Sequence, residues 1–379
     1  MKIAVLKERA LNEKRVAISP DMVKKFVSKG VEVVIEQGAG ETASFKDEDY
    51  SKAGAKISSV LLEIIADADI LLKVQPSPAA AHGELNEIEF LNEKTLVIGL
   101  LSPHTNKDLL NTYVTKRNTS MAIELLPRIT KAQSMDVLSS QSNLAGYISV
   151  IKAANEYGGA FPMMMTAAGT VSPAKLLVMG AGVAGLQVIA TAKRLGAIVS
   201  AFDVRSVAKE QVQSLGATFI EVPVEEDGST SAGYAKEMSD EYKAKQKQLI
   251  HDSLKKNNIV ITTALIPGRP APKLISKEMI QDMKAGSVII DLAAASGGNC
   301  EGTVADEITI VNGVKLIGYS NIASSVATEA SKLYSRNLYN LLEYLTDKEF
   351  KTINLNFEDE IVKSCVLTHA GKIVHPNFV

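Results

Sequence analysis

Short β-branched runs alternate with amphipathic stretches from the first residues onward: KIAVL, a helical pattern in PDMVKKFVSKG, then VEVVIEQGAG, ADILLKV and KTLVIGLL. Such alternation predicts βαβ units and a parallel sheet covered by helices. Ser19 reads as a helix N-cap with Pro20 at the first helical position, and Gly30 as the stop. From 134 to 157, Met135, Leu138, Ala145, Ile148 and Ile151 recur at helical spacing, which predicts one long helix with a single buried stripe. The pattern then resets in KLLVMGAGVAGLQVIATAKRLGAIVSAFDV as buried strand, glycine turn, helix and second strand. Further strands are expected at ATFIEV, NIVITTA, GSVIIDL and KLIGY, with helices around 237 to 256 and 276 to 283. Val326, Leu333, Leu338, Leu341 and Leu345 predict another long helix, and the residues beyond it are too few for a domain of their own.

The expected fold is therefore α/β: two Rossmann-like, doubly wound parallel-sheet domains joined by two long helices, with a cleft between them. Residues 1–133 and 330–379 together form the first domain, and 134–329 the second. A length of 379 residues fits two cores better than one.

Composition narrows the function by exclusion. Lys and Arg (41) nearly balance Asp and Glu (43), so no broad basic field favours nucleic acid or an anionic membrane. No segment reaches the roughly 18 uncharged apolar residues of a span, and the N-terminal apolar run is too short for a signal peptide. Cys300 and Cys365 make neither a metal spacing nor a disulfide framework, so no metal is expected.

The candidate chemistry begins at Gly180, Gly182 and Gly185, which with Val183 and Ala184 form GAGVAG between a strand and a helix. The first glycine permits the turn, the second lets backbone approach a pyrophosphate, the third allows close packing, and the helix N-terminus supplies N–H donors. Asp203 follows Gly182 by 21 residues, at the end of the second strand, where a carboxylate bonds ribose hydroxyls and repels a 2′-phosphate. NAD(H) is thereby favoured over NADP(H). Arg205 reads as an adenine or pyrophosphate neighbour beside Asp203 and Val204. Ala264, Leu265 and Pro267 of TALIPG follow a strand C-terminus and are expected to offer backbone contacts. VPVEEDGSTSAGYAKEM is acidic, then Gly/Ser-rich, and ends near Tyr234, the composition of a mobile surface loop with an aromatic anchor.

A dehydrogenase acting on an alcohol or amino acid needs a general base. His82, His104, His251, His369 and His375 show no orienting partner in sequence; His251 reads as solvated, and His369 and His375 as turn residues. Met163, Met164 and Met165 read as packing at a helix end.

The runs PRITKAQSMDVLSSQSNLAGY, AFPMMMTAAGTV, GAGVAGLQVIATAKRLGA, SAGYAKEM, ITTALIPGRPAP and IIDLAAASGGNCE resemble, across essentially the whole chain, the NAD(H)-binding component of proton-translocating nicotinamide nucleotide transhydrogenase. Alanine dehydrogenase shares the architecture and is the alternative, together with a non-catalytic NAD-binding module. Arg15 and Lys73 match positions common to both enzymes. Ser102 stands where alanine dehydrogenase has a catalytic His, and Ala295 where it has an Asp. The resemblance implies that Arg128, Gln133, Asp136 and Ser139 surround the nicotinamide and that the Tyr234 loop folds over bound nucleotide. It also implies that the chain is a homodimer, bound at the cytoplasmic face of the bacterial inner membrane through membrane-spanning and NADP(H)-binding partner subunits. Hydride would pass from NADH to the NADP⁺ held by a partner, coupled there to proton translocation.

Overall fold

Ile259–Thr262 and Val288–Asp291 are buried at every residue, as the middle of a parallel sheet clothed on both faces requires. They lie in one of two sheets in the computed structural model, which describes residues 1–77, 87–222, 239–266 and 268–379. The chain divides into two compact units, Met1–Gln141 with Ser324–Val379, and Ser142–Ala323.

The sheet of the second unit runs, from edge to edge, Thr218–Ile220, Ile198–Phe202, Lys175–Met179, Ile259–Thr262, Val288–Asp291, Val314–Gly318 and Ile308–Val311. All neighbours are parallel except the last pair. The chain builds outward from Lys175–Met179 to one side, then returns to its other side at Ile259–Thr262. That reversal opens a crevice at the carboxyl ends of these two strands, where ligands of such sheets bind.

The first unit repeats the device around Lys2–Val5, flanked by Glu32–Glu36 and Ile70–Leu72. Its far edge is made by the C-terminal segment: Val366–His369 pairs antiparallel with Thr119–Ala122, and Lys372–Ile373 closes the edge. His369 thus belongs to a strand, and His375, read as a turn residue, is buried with its imidazole bonded to the Ser364 carbonyl. His251 is not simply solvated either, since Nε2 lies 2.8 Å from Asp282 Oδ2.

Three local expectations are corrected. The predicted helix over 134–157 is two pieces, a 3₁₀ turn Thr130–Met135 and an α-helix Val137–Glu156 with Asp136 extended between them. Its single buried stripe does not exist: Leu138 is 40% and Ile151 37% exposed. The helix serves two cores in succession, Val137 entering the first unit's core and Val150 and Ala153 the second's, so no one face stays apolar along its length. Met164–Thr166 pairs with Gly169–Val171 in a two-stranded hairpin that leaves Met165 84% exposed, so the methionines do not pack a helix end. Ser19 does precede the helix Pro20–Ser28 with Pro20 in its first turn, but its hydroxyl bonds Ser335 rather than capping the helix.

The second long helix is Ala327–Leu345, with Leu338, Leu341 and Leu345 buried. No helix among the described residues is long and apolar enough to cross a membrane.

Candidate nucleotide-binding site

Within the second unit, the glycine turn leaves strand Lys175–Met179 and enters helix Val183–Arg194 with Gly182 at the N-cap. Gly180 has φ +100°, a conformation that side chains with a Cβ rarely adopt. A Cβ on Gly185 would stand 1.9 Å from the Gly180 carbonyl oxygen, so only glycine lets the helix sit this close to the turn. At Gly182 the nearest atom to such a Cβ is Arg205 Nη2 at 3.9 Å, which leaves this backbone approachable. Val183, Ala184 and Gly185 begin the helix, whose first N–H groups have no intrahelical acceptor and are suited to an anion.

Neighbouring strand ends hold the turn. The Gly180 N–H donates to Phe202 O at 2.9 Å, and the Ala181 N–H to Asp203 Oδ2 at 2.7 Å. Thr263 Oγ1 donates to Gly180 O at 2.8 Å, joining the turn to the exit of strand Ile259–Thr262. Ala264 follows, gripped on both of its backbone polar groups by Asn299: its N–H donates to Asn299 Oδ1 at 3.1 Å, and Asn299 Nδ2 donates to its carbonyl at 2.8 Å. Asn299 is in turn placed by Asp291, a wholly buried carboxylate that accepts from Thr262 Oγ1, Thr303 Oγ1 and the backbone N–H groups of Ala293, Asn299 and Cys300. Gly298 has φ +78°, and a Cβ there would meet Asp291 Oδ2 at 2.7 Å. Ala295, in the same loop, is exposed.

Gly180 to Gly185, Asp203, Arg205 and Ala264 are therefore brought to one sheet edge. Leu265 is exposed just beyond it. Val204 is partly buried and packs against the apolar cluster that includes Leu177 and Phe202. Tyr234, Pro267 and His82 lie outside the described residues, as does the loop over 223–238. Thr263, Asn299 and Asp291 were not singled out from sequence; an Asp closing a buried strand ahead of paired glycines was the available signal. Gly146 was missed too: a Cβ there would lie 2.3 Å from Ala184 O, so this glycine lets the helix Val137–Glu156 press on the first turn of the helix after the glycines.

The second group of candidates belongs to the first unit. Asp136 caps the helix Val137–Glu156, its Oδ1 accepting the Ser139 N–H at 2.9 Å and its Oδ2 the Ser139 hydroxyl at 2.5 Å. Arg128 and Gln133 are exposed around the preceding 3₁₀ turn. Helix Ala327–Leu345 clamps that turn: Asn337 and Asn340 both donate to Ser134 O, at 2.8 and 2.9 Å, and Asn337 accepts from Ser140 Oγ. Lys131 and Tyr344 both bond Asp359. Against the desolvation that raises it, Tyr344, Lys131 and the N–H groups of Ile361 and Val362 hold the Asp359 carboxyl down at about 2.

A cluster of buried charge follows the ends of strands Lys2–Val5 and Ile70–Leu72. Arg15 is buried and forked onto Glu13 at 2.8 and 2.6 Å, with its third nitrogen on Gln141. Lys73 lies 3.1 Å from Glu87 and 3.7 Å from Glu8, all three buried. Burial pushes Glu8 above the usual carboxylate range, and Lys73 pulls it partly back. Nearby, Glu124 accepts the N–H groups of Leu101 and Ser102. Ser102 has φ +49°. Burial outweighs those bonds and raises the Glu124 carboxyl from 4.5 to about 7. The folded chain then holds a proton that the unfolded chain releases, so Glu124 lowers stability as pH rises from about 4.5 to 7, by roughly 3 kcal/mol in all, and adds no further slope above. Urea midpoints taken from pH 4.5 to 8 are expected to show this loss in the parent and a flatter profile in Glu124→Gln. Parallel profiles would contradict it.

Among the described residues no group of three or more His, Cys, Asp or Glu side chains could hold a metal ion. Both cysteines are free and buried, and burial pushes each thiol well above its ordinary value.

Two family models between them match nearly the whole chain. Residues 4–145 match the family model described as the alanine dehydrogenase/PNT N-terminal domain, and 149–376 the alanine dehydrogenase/PNT C-terminal domain. A protein of Rickettsia prowazekii, named as the first part of NAD(P) transhydrogenase subunit alpha, is 51% identical over 376 residues, covering 99% of this chain and 96% of its own. The protein of the same name from Rhodospirillum rubrum is 51% identical over 378 residues, covering 99% and 98%. The solved structure of a transhydrogenase from Sinorhizobium meliloti superposes with a TM-score of 0.85 at 46% identity, over 100% of both chains.

Proposed function

The chain belongs to the alanine dehydrogenase/PNT family, and from that premise we propose that it is the NAD(H)-binding component of a proton-translocating transhydrogenase. In this reading it passes hydride from NADH to NADP⁺ held by a partner subunit. The observation that carries the proposal is the 51% identity, over 99% of this chain, to two proteins named as the first part of a transhydrogenase alpha subunit, against 26–30% to alanine dehydrogenases. The resemblance also implies that Ser102 and Ala295 stand where alanine dehydrogenase has His and Asp.

The residues fit a dinucleotide. The open backbone at Gly182 and the helix N-terminus at Val183 to Gly185 suit the pyrophosphate, and Asp203 suits the ribose. NADH supplies a hydride from C4, and its transfer to a second nicotinamide releases no proton at the reacting centre. The protein's task there is placement to about 3–3.5 Å rather than acid–base work. Arg128, Gln133, Asp136 and Ser139 would hold the carboxamide and its ribose. The clamp on Ser134 from Asn337 and Asn340 fixes the turn that carries Gln133. Tyr234 and Pro267 retain their proposed contacts. The same reading makes the chain a homodimer docked, at the cytoplasmic face of a bacterial inner membrane, on membrane-spanning and NADP(H)-binding subunits.

The test mixes the chain with an NADP(H)-binding transhydrogenase partner and NADH deuterated at C4, and follows label into NADPH by mass spectrometry. Direct transfer with label retained supports the proposal. Binding of NADH without transfer favours a non-catalytic module, and steady consumption of NADH with pyruvate and ammonia favours alanine dehydrogenase. In the transfer assay, Arg128→Ala and Asp136→Asn are expected to slow hydride transfer by about tenfold or more while changing NADH affinity less than about threefold. Asn retains the cap at 136, so the second variant leaves the helix start intact. Equal losses in binding and transfer would remove these residues from ring placement.

A further inference from the structure

The Asp203 carboxylate is already fully engaged. Its Oδ1 accepts the Arg205 N–H and Nε–H, both at 2.9 Å, and its Oδ2 accepts the Ala181 N–H and Arg205 Nη2, both at 2.7 Å. An ionised carboxylate offers about four acceptor positions. All are taken, and the side chain is only 6% exposed under the guanidinium. A ribose diol brings two donors, and neither finds a place while Arg205 stays. The N–H of Ala181 belongs to the glycine turn and cannot leave without undoing it, whereas the Arg205 side chain is a flexible arm, 18% exposed. The same guanidinium stands over the glycine turn, with Nη2 3.9 Å from the Cβ position of Gly182, where backbone would approach a pyrophosphate.

We propose that Arg205 exchanges partners when a dinucleotide binds, giving up Asp203 to the adenosine ribose hydroxyls and taking the pyrophosphate instead. This rests on the NAD(H) reading and extends it: Arg205 becomes a specificity-determining residue. Ribose and pyrophosphate recognition are then coupled, because the charge that leaves Asp203 is the charge that meets the phosphates. An adenosine ligand without a second phosphate must displace Arg205 with less in return, so the affinity it shows is reduced by the fraction of chains with Asp203 uncovered.

The test is calorimetric titration of the full chain with 5′-AMP, 2′-deoxy-5′-AMP and ADP, in the parent, Arg205→Ala and Arg205→Lys. In the parent, the affinity ratio of 5′-AMP to its 2′-deoxy analogue should be small. In Arg205→Ala it should grow roughly 3- to 10-fold, because the ribose no longer competes, while the gain from AMP to ADP shrinks by a similar factor. Arg205→Lys cannot fork onto both carboxylate oxygens but keeps the charge, so it should raise the hydroxyl ratio and preserve the ADP gain. Each ratio is taken within one variant, which cancels any general loss of stability. A hydroxyl ratio unchanged in Arg205→Ala, with AMP still binding, would overturn the exchange and leave the NAD(H) reading standing. Failure of the parent to bind AMP or ADP at all would overturn both.

Discussion

Gly185→Ala is expected to abolish NAD(H) binding and to destabilise the second unit by about 3 kcal/mol. The added Cβ would sit 1.9 Å from the Gly180 carbonyl oxygen and 2.9 Å from its carbon, atoms of a backbone held by Phe202 and Thr263. Neither the helix nor the turn has room to give. Gly182→Ala is the informative contrast. Its Cβ meets nothing closer than Arg205 Nη2 at 3.9 Å, so the fold should tolerate it, while the methyl would stand where a pyrophosphate must approach. Urea unfolding and NADH calorimetry on the two variants separate the roles: both lose binding, and only Gly185→Ala loses stability. A comparable stability loss in Gly182→Ala would show that the turn has no room for a methyl at 182.

Asp291→Ala is expected to cost on the order of 3–5 kcal/mol, because five donors would be orphaned in a site with no exposure. Removing the acceptor should do more than loosen the core. Asn299 loses the contact that seats its backbone, Ala264 loses the amide that grips it, and the strand end beside the glycine turn becomes free to shift. Weaker NADH binding should therefore accompany the stability loss. Asn299→Ala should reproduce most of the binding defect at a smaller cost in stability, since Asp291 keeps its bond to the backbone N–H at 299. If both variants bind NADH as the parent does, the Ala264 edge is not part of the nucleotide site.

The regions of this molecule that could be read in advance are those encoded by neighbours in the chain. IVIT and VIID are strands because each is a short, β-branched run with turn residues around it, and both proved wholly buried. GAGVAG followed by Asp203 was legible because strand, turn, helix and acid are contiguous, and the local geometry needs glycine at 180 and 185. Contacts between distant residues left no such trace. Asn337 and Asn340 reach Ser134 across 203 and 206 residues, and nothing in the helical pattern of SRNLYNLLEYL marks two amides as the clamp of a distant turn. The helix Val137–Glu156 misled for a related reason, since a stripe is periodic only while one core is being served. The exposed methionines show the limit of composition: apolar residues beside a predicted helix suggest packing, and the chain instead turns back there into a hairpin.

The first unit is discontinuous in sequence, and this bears on how the protein is made. Ser120 on strand Thr119–Ala122 bonds Thr368 on the strand that covers it, 248 residues later. At ribosomal speeds of about 5–20 residues per second, that strand waits on the order of 12–50 seconds for its partner to be translated. In that interval the second unit, encoded wholly in between, has every residue it needs. The nascent first sheet presents the unpaired backbone of Thr119–Ala122, an edge of the kind that recruits other strands. Chaperone occupancy on the growing polypeptide should therefore be highest between synthesis of Ala122 and emergence of Val366, and should fall once the C-terminal strand is free to dock.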